Sequence, residues 1–281
     1  MSSQSPAIVY VHGISKHDPG YSDAWFAALK PHLTTPVEKS EVLWSDLVNA
    51  KAMAFGEDKA AFEANIANEE SLRREIEGEL ESRKLRNRQT EQEDMPEGEK
   101  GLCRGVGFAL DDFVRYMAWK ATRESILSRF NEIVHPLLKD GRTIHVISHS
   151  WGTVVSYEGL RRLNNETFPG RVANLFVLGS ALSIGAVQRN LFGRLSNGHL
   201  PTLVDQFINI DAGGDIVGGQ ISPPFKVTEE FLNQYPTGCP TFPFRRQTAR
   251  SFTCAHGSYF QPENIAVNKD IIARYINQKN P

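Results

Sequence analysis

Three things are scarce in this chain, and each scarcity argues against a class of function. No apolar run approaches the ~20 residues a helix needs to cross a bilayer, and residues 1–6 lack the basic side chains that open a secretory signal. The expectation is a soluble, cytoplasmic protein with no transmembrane segment. Charge of one sign is not in surplus either. The 31 basic and 33 acidic residues leave a net charge of −2, which offers no electrostatic footprint for nucleic acid or an anionic membrane. Cysteine is the third scarcity. Cys103, Cys239 and Cys254 are odd in number and lack metal-site spacing. Free thiols in a reducing compartment are therefore expected, with a bridge between Cys239 and Cys254 as the alternative. No metal-ligand cluster, phosphate-binding glycine loop or nucleotide fingerprint stands out, so neither metal nor cofactor is expected. Nothing points to a particular protein partner.

What is present suits one large α/β domain over residues 1–281, interrupted by an insertion at about 46–107. Ala7 to Val11 is a buried-strand run that ends in His12-Gly13. Residues 22–33 read as a helix with Trp25, Phe26 and Leu29 on its inner face, and 37–44 as the next strand. Within residues 57–100, 14 acidic and 8 basic side chains leave only a narrow apolar stripe of Phe62, Ile66, Leu72, Ile76 and Leu80. That pattern predicts a solvated helix followed by a polar loop over 89–101. A surface hairpin without catalytic role is the favoured reading, and a lid over the site the other. Residues 108–138 carry the densest helical periodicity. Their first half is rich in aromatics, which are more often core than substrate wall.

The chain is organised around residues 143–152, Thr-Ile-His-Val-Ile-Ser-His-Ser-Trp-Gly. A β-branched run stops at a serine, and helical spacing follows at Val154, Val155, Leu160 and Leu163. Ser150 would occupy the sharp corner between strand and helix, with Ser148 and Gly152 small enough to let the two elements pass. A serine that merely caps the helix is the plainer alternative. Later, 171–178 and 203–210 read as strands, 221–244 as a proline- and aromatic-rich loop, 250–254 as a last strand, and 263–276 as a closing helix.

Ser148-His149-Ser150-Trp151-Gly152 resembles the nucleophile elbow of α/β-hydrolases, Gly-x-Ser-x-Gly, with Ser148 in place of the first glycine. The resemblance covers residues 7–276 apart from the insertion. It implies a mostly parallel central sheet with helices on both faces, carrying here a charged helical insertion. It also implies roles. Ser150 would be the nucleophile, and His12-Gly13 is similar to an oxyanion loop, so that the backbone N–H groups of Ile14 and Trp151 would bind the developing oxyanion. Asp215-Ile216-Val217 resembles the family's Asp-x-Val, which makes Asp215 the histidine-orienting carboxylate and Asp211 the runner-up. His256, in a glycine-containing loop before the final helix, would be the base, and the order Ser, Asp, His is that of the family. A serine hydroxyl needs such a base, and imidazole with its ordinary pKa near ~6.5 is suited to the task. The implied activity is cleavage of a carboxylic ester, such as a small-molecule or lipid ester. Amidase and thioesterase chemistry would use the same groups. The reading from another class is a catalytically silent fold that serves as a binding module.

Overall fold

The apolar runs become strands that all point the same way. The computed structural model describes residues 5–13, 16–48, 59–89, 102–237, 239 and 252–278. Strands β1 (Ala7–Val11), β2 (Glu38–Val42), β3 (Thr143–His149), β4 (Arg171–Leu178), β5 (Val204–Ala212) and β6 (Glu229–Gln234) form one six-stranded sheet in the order β2-β1-β3-β4-β5-β6, parallel throughout. Alternation along the strands splits the core in two. Val9, Val11, Val146 and Val177 face one side, while Ile8, Tyr10, Ile147 and Phe176 face the other. Helices cover both sides, because the polar backbone of a parallel sheet is matched within the sheet and its two apolar faces must both be buried. On the first face lie the short α2 (Ser45–Val48), α3 (Lys59–Gln89), α4 (Leu102–Ala118), α5 (Lys120–Lys139), α6 (Gly152–Arg162) and α7 (Gly185–Leu195); on the second lie α1 (Asp23–Leu29) and the C-terminal segment, a π-helical stretch Ala266–Ala273 that runs into a last turn, Arg274–Asn277.

Several expectations change. The last strand is β6, inside the stretch read as a loop, whereas Phe252–Gly257 is a short helix, α8, and not a strand. The reason is that β6, Glu-Glu-Phe-Leu-Asn-Gln, is a half-exposed edge strand whose polar sequence carries no apolar run to read. Cys239 and Cys254 are joined in a disulfide, their Cα atoms 5.6 Å apart. Free thiols at these positions are thereby corrected, and the argument from them for a reducing compartment falls away. Among the described residues no helix is long and apolar enough to cross a membrane.

The charged helix also departs from its reading as a solvated hairpin. Phe62 and Ile66 are exposed, but Leu72, Ile76 and Leu80 are buried against the first face, each such side chain contributing about 1.5–3 kcal/mol. Farther along, Glu79 accepts hydrogen bonds from the N–H groups of Gly185 (3.0 Å) and Ala186 (3.3 Å) at the start of α7, where a carboxylate satisfies donors that have no intrahelical partner. The polar loop expected over 89–101 lies, from residue 90 on, outside the described residues. The aromatic half of 108–138 is core: Phe113, Tyr116, Met117 and Trp119 are buried, and the stretch divides at Trp119 into α4 and α5.

A buried carboxylate holds this helical layer together. Glu158 on α6, 1% exposed, accepts from Arg194 of α7 (2.8 and 3.1 Å) and from the Tyr116 hydroxyl of α4 (2.8 Å), with Arg123 and Arg162 within 3.7 Å. Removing it leaves arginines packed around a site with no counter-charge. Glu158→Ala is therefore expected to lower the unfolding free energy by about 3–5 kcal/mol, read as an earlier midpoint in urea. An unchanged midpoint would contradict this account of the cluster.

Candidate functional site

The strand order puts the topological switch point between β1 and β3, since the connections leave these neighbours in opposite directions, and in open α/β sheets sites form at the carboxyl ends of the strands there. Ser150 stands there. It directly follows β3, two residues before α6 begins, with φ at +56°, in the left-handed region that a side chain disfavours. Its N–H is held by the carbonyl of Leu178 at 2.9 Å, and Thr153 closes the turn through its own N–H and hydroxyl to the Ser150 carbonyl at 3.2 and 2.6 Å. Gly152 has to be glycine: a Cβ on it would lie 2.1 Å from the carbonyl oxygen of His12. This close passage brings the loop after β1 against the corner, and a Cβ on Gly13 would be 2.6 Å from that of Ser150.

The structure brings together three of the side chains singled out in sequence. His256 Nε2 is 2.9 Å from Ser150 Oγ, and its Nδ1 is 3.0 and 2.9 Å from Asp215 Oδ1 and Oδ2. A carboxylate can only accept, so Nδ1 carries the proton and Nε2 presents its lone pair to the serine hydroxyl, which donates. Asp215 lies in the loop after β5 and is buried. Burial alone would raise its pKa, but the His256 charge and hydrogen bonds from His256, Tyr259 and the Gly218 N–H outweigh it and hold the carboxyl at about 2. Trp151 is the first residue of the turn into α6, with helical φ and ψ of −65° and −24°. Its indole is buried and stacks on Phe113 at 4.1 Å. Ile14 lies outside the described residues.

Three contributors had no strong signal in the sequence. The Tyr259 hydroxyl donates to Asp215 Oδ2 (2.7 Å) and accepts from the Ala212 N–H (2.9 Å), which ties the carboxylate to β5; its place three residues after His256 was the one available hint. His149, next to the serine in the chain, places its Nε2 2.8 Å from the His256 carbonyl. Only an N–H can bond a carbonyl, so His149 is the Nε2–H tautomer. Burial, then the neighbouring His256, hold its pKa down to about 3, so it stays neutral. The third is Arg83, from the charged helix, whose Nη1 reaches the carbonyls of Ile216 (3.2 Å) and Gly218 (2.9 Å).

Asp211, the runner-up, is not bonded to His256 but lies behind Asp215. A Cβ on Gly218 would sit 2.2 Å from Asp211 Oδ1 and 3.2 Å from Asp215 Oδ2, so only glycine fits between the two carboxyls. Burial, then the charge of Asp215, raise the Asp211 pKa to about 7. An acid whose folded pKa stands above its unfolded value keeps a proton in the folded state; the stability this confers is full below the unfolded value and is lost as pH rises through about 7. Asp211→Asn, which cannot ionise, is therefore expected to gain on the order of 4 kcal/mol relative to the parent at pH 8 and little at pH 4. Thermal melts of both proteins at the two pH values check it, and an equal difference at both would contradict the raised pKa. Among the described residues no group of three or more His, Cys, Asp or Glu side chains could hold a metal ion.

Fold and site thus define an α/β protein with an all-parallel sheet and a hydrogen-bonded serine, histidine and aspartate at its switch point. No protein-family model matches the chain, and no curated protein matches it. A crystal structure of an uncharacterized protein from Pseudomonas aeruginosa aligns with 98% of this chain at 10% identity and a TM-score of 0.39; the chain spans only 46% of that protein's length.

Proposed function

We propose that the protein is a serine hydrolase of the α/β-hydrolase type that cleaves carboxylic esters through an acyl-enzyme on Ser150. The observation that carries this reading is the continuous chain from Ser150 Oγ through His256 to Asp215, each link between 2.9 and 3.0 Å. Ser150 Oγ attacks the ester carbonyl carbon while His256 Nε2 takes the hydroxyl proton, and Asp215 stabilises the imidazolium that forms. The carbonyl electron pair moves onto oxygen, where the N–H of Trp151, at the positive end of α6, receives it. Collapse of this intermediate breaks the C–O bond, and the leaving alkoxide takes the proton from His256. Water, deprotonated by the same Nε2, then attacks the acyl group and releases a carboxylic acid with Ser150 restored.

A fluorophosphonate probe and p-nitrophenyl esters from acetate to decanoate, with a thioester alongside, test this reading. The expected result is one adduct, on the peptide containing Ser150, and turnover of at least one ester. No adduct on Ser150 and no turnover of any member of the panel would leave the constellation catalytically silent and the proposal wrong.

A further inference from the structure

Asp215 is held by two peptide groups, and the charged helix reaches one of them directly and the other through Ser183. On the front side, the N–H groups of Val217 and Gly218 donate to Asp215 Oδ1 at 2.9 and 3.2 Å. The N–H of Val217 belongs to the peptide whose oxygen is Ile216 O, and that oxygen accepts from Arg83 Nη1 at 3.2 Å. The N–H of Gly218 belongs to the peptide whose oxygen is Val217 O, which accepts from the Ser183 hydroxyl at 2.8 Å. Ser183 Oγ in turn accepts from the same Arg83 Nη1 at 2.8 Å. Two lanes therefore run from one guanidinium to one carboxylate oxygen, one directly through a peptide and one through a serine hydroxyl and a peptide. Arg83 is itself fixed by Glu79 (2.9 Å) and by the Ser183 carbonyl (2.6 Å).

We infer that Arg83 is a positioning residue for the acid of the Ser150–His256–Asp215 chain, acting on Asp215 through the peptides of Ile216–Val217 and Val217–Gly218; this rests on the proposed serine-hydrolase function. A peptide whose oxygen accepts from a cation is polarised, so its N–H becomes a better donor, a strengthening of about 10–30% per bond in condensed-phase estimates. Donors aimed at a carboxylate favour its ionised form, the form that must remain when His256 becomes an imidazolium. The Arg83 charge also acts on Asp211, behind Asp215, to favour its ionised form. The groups facing Asp215 are thus His256 of α8, Tyr259 in the turn after it and Asp211 of β5, with Arg83 of α3 behind the two peptides. The charged helix, 133 residues from Ile216 in sequence at Arg83, contributes to the site without touching substrate.

The test is a double-mutant cycle in the 281-residue chain, with p-nitrophenyl acetate turnover and the rate of fluorophosphonate labelling as readouts. Arg83→Met is expected to lower kcat about tenfold with KM changed less than about twofold, and the same change in an Asp215→Asn background is expected to cost less than about twofold, since coupled groups are not additive. Ser183→Ala interrupts one lane with a small change of volume and is expected to give a smaller loss with the same dependence on Asp215; it carries the test if Arg83→Met does not fold. The deshielded proton NMR signal of the His256 Nδ1–H bonded to Asp215 is expected to move upfield in Arg83→Met. Equal losses in the two backgrounds, or an unmoved kcat and proton signal, would overturn the inference. If the unaltered chain neither labels nor turns over any ester, the functional proposal fails instead, and the proton signal alone then decides whether Arg83 is coupled to the histidine–aspartate pair.

Discussion

Ser150→Ala is expected to abolish fluorophosphonate labelling and to lower kcat on p-nitrophenyl esters by roughly 10⁶-fold, the scale on which a serine protease loses turnover when its nucleophile is removed. The loss is this large because no other described group stands where Ser150 Oγ does, 2.9 Å from the lone pair of His256. The backbone predicts a second outcome that separates chemistry from folding. Ser150 is held at φ +56°, where an L side chain costs about 1–2 kcal/mol that glycine avoids. Ser150→Gly should therefore be as inactive as Ser150→Ala yet melt higher, while Ser150→Ala melts close to the parent. Labelling that persists in both variants would remove Ser150 from the proposal, and a glycine variant that melts well below the parent would contradict the strained corner.

Asp215→Asn is expected to lower kcat by about 10⁴-fold, as loss of the orienting carboxylate does in a serine protease, with KM little changed. An amide can turn its NH₂ towards His256, which then carries its proton on Nε2 and has no lone pair for the serine. The neighbouring Asp211 makes the comparison sharp. Both carboxyls are buried within reach of Gly218, but only Asp215 bonds His256. Asp211→Asn is therefore expected to keep kcat within about tenfold of the parent, because it alters only the field around Asp215. A large loss in Asp211→Asn with a small one in Asp215→Asn would exchange the two roles.

Much of the layout was legible in the residues. Val9, Ile147 and Phe176 lie in runs that only a strand buried on both faces accommodates, and the alternation of such runs with helical spacing implied a parallel sheet. The corner at Ser150 was legible for a local reason as well, since small residues at 148 and 152 with apolar runs on either side admit few other backbones. The chain order Ser150, Asp215, His256 could likewise be read, although His256 stands within α8 and not in the loop after a last strand that the sequence suggested. The edge strand β6 could not. Its stability comes from pairing with β5 and not from an apolar pattern of its own, so nothing in Glu-Glu-Phe-Leu-Asn-Gln announces it.

The sequence by itself therefore determined the local elements that point towards the crevice, because periodicity and turn chemistry act over a few residues. Only the tertiary structure decided what stands behind them. That Cys239 meets Cys254, that Tyr259 rather than another tyrosine bonds Asp215, that Asp211 lies behind the carboxylate and not beside His256, and that the charged helix reaches the acid loop through Arg83 all depend on contacts between segments far apart in the chain. Arg83 and Glu79 look in sequence like an ordinary i,i+4 pair on a solvated face, and that pair does form at 2.9 Å. What no spacing along the chain could reveal is that the same guanidinium has other donors left over, and that packing Leu72, Ile76 and Leu80 onto the sheet aims them at the carbonyls behind Asp215.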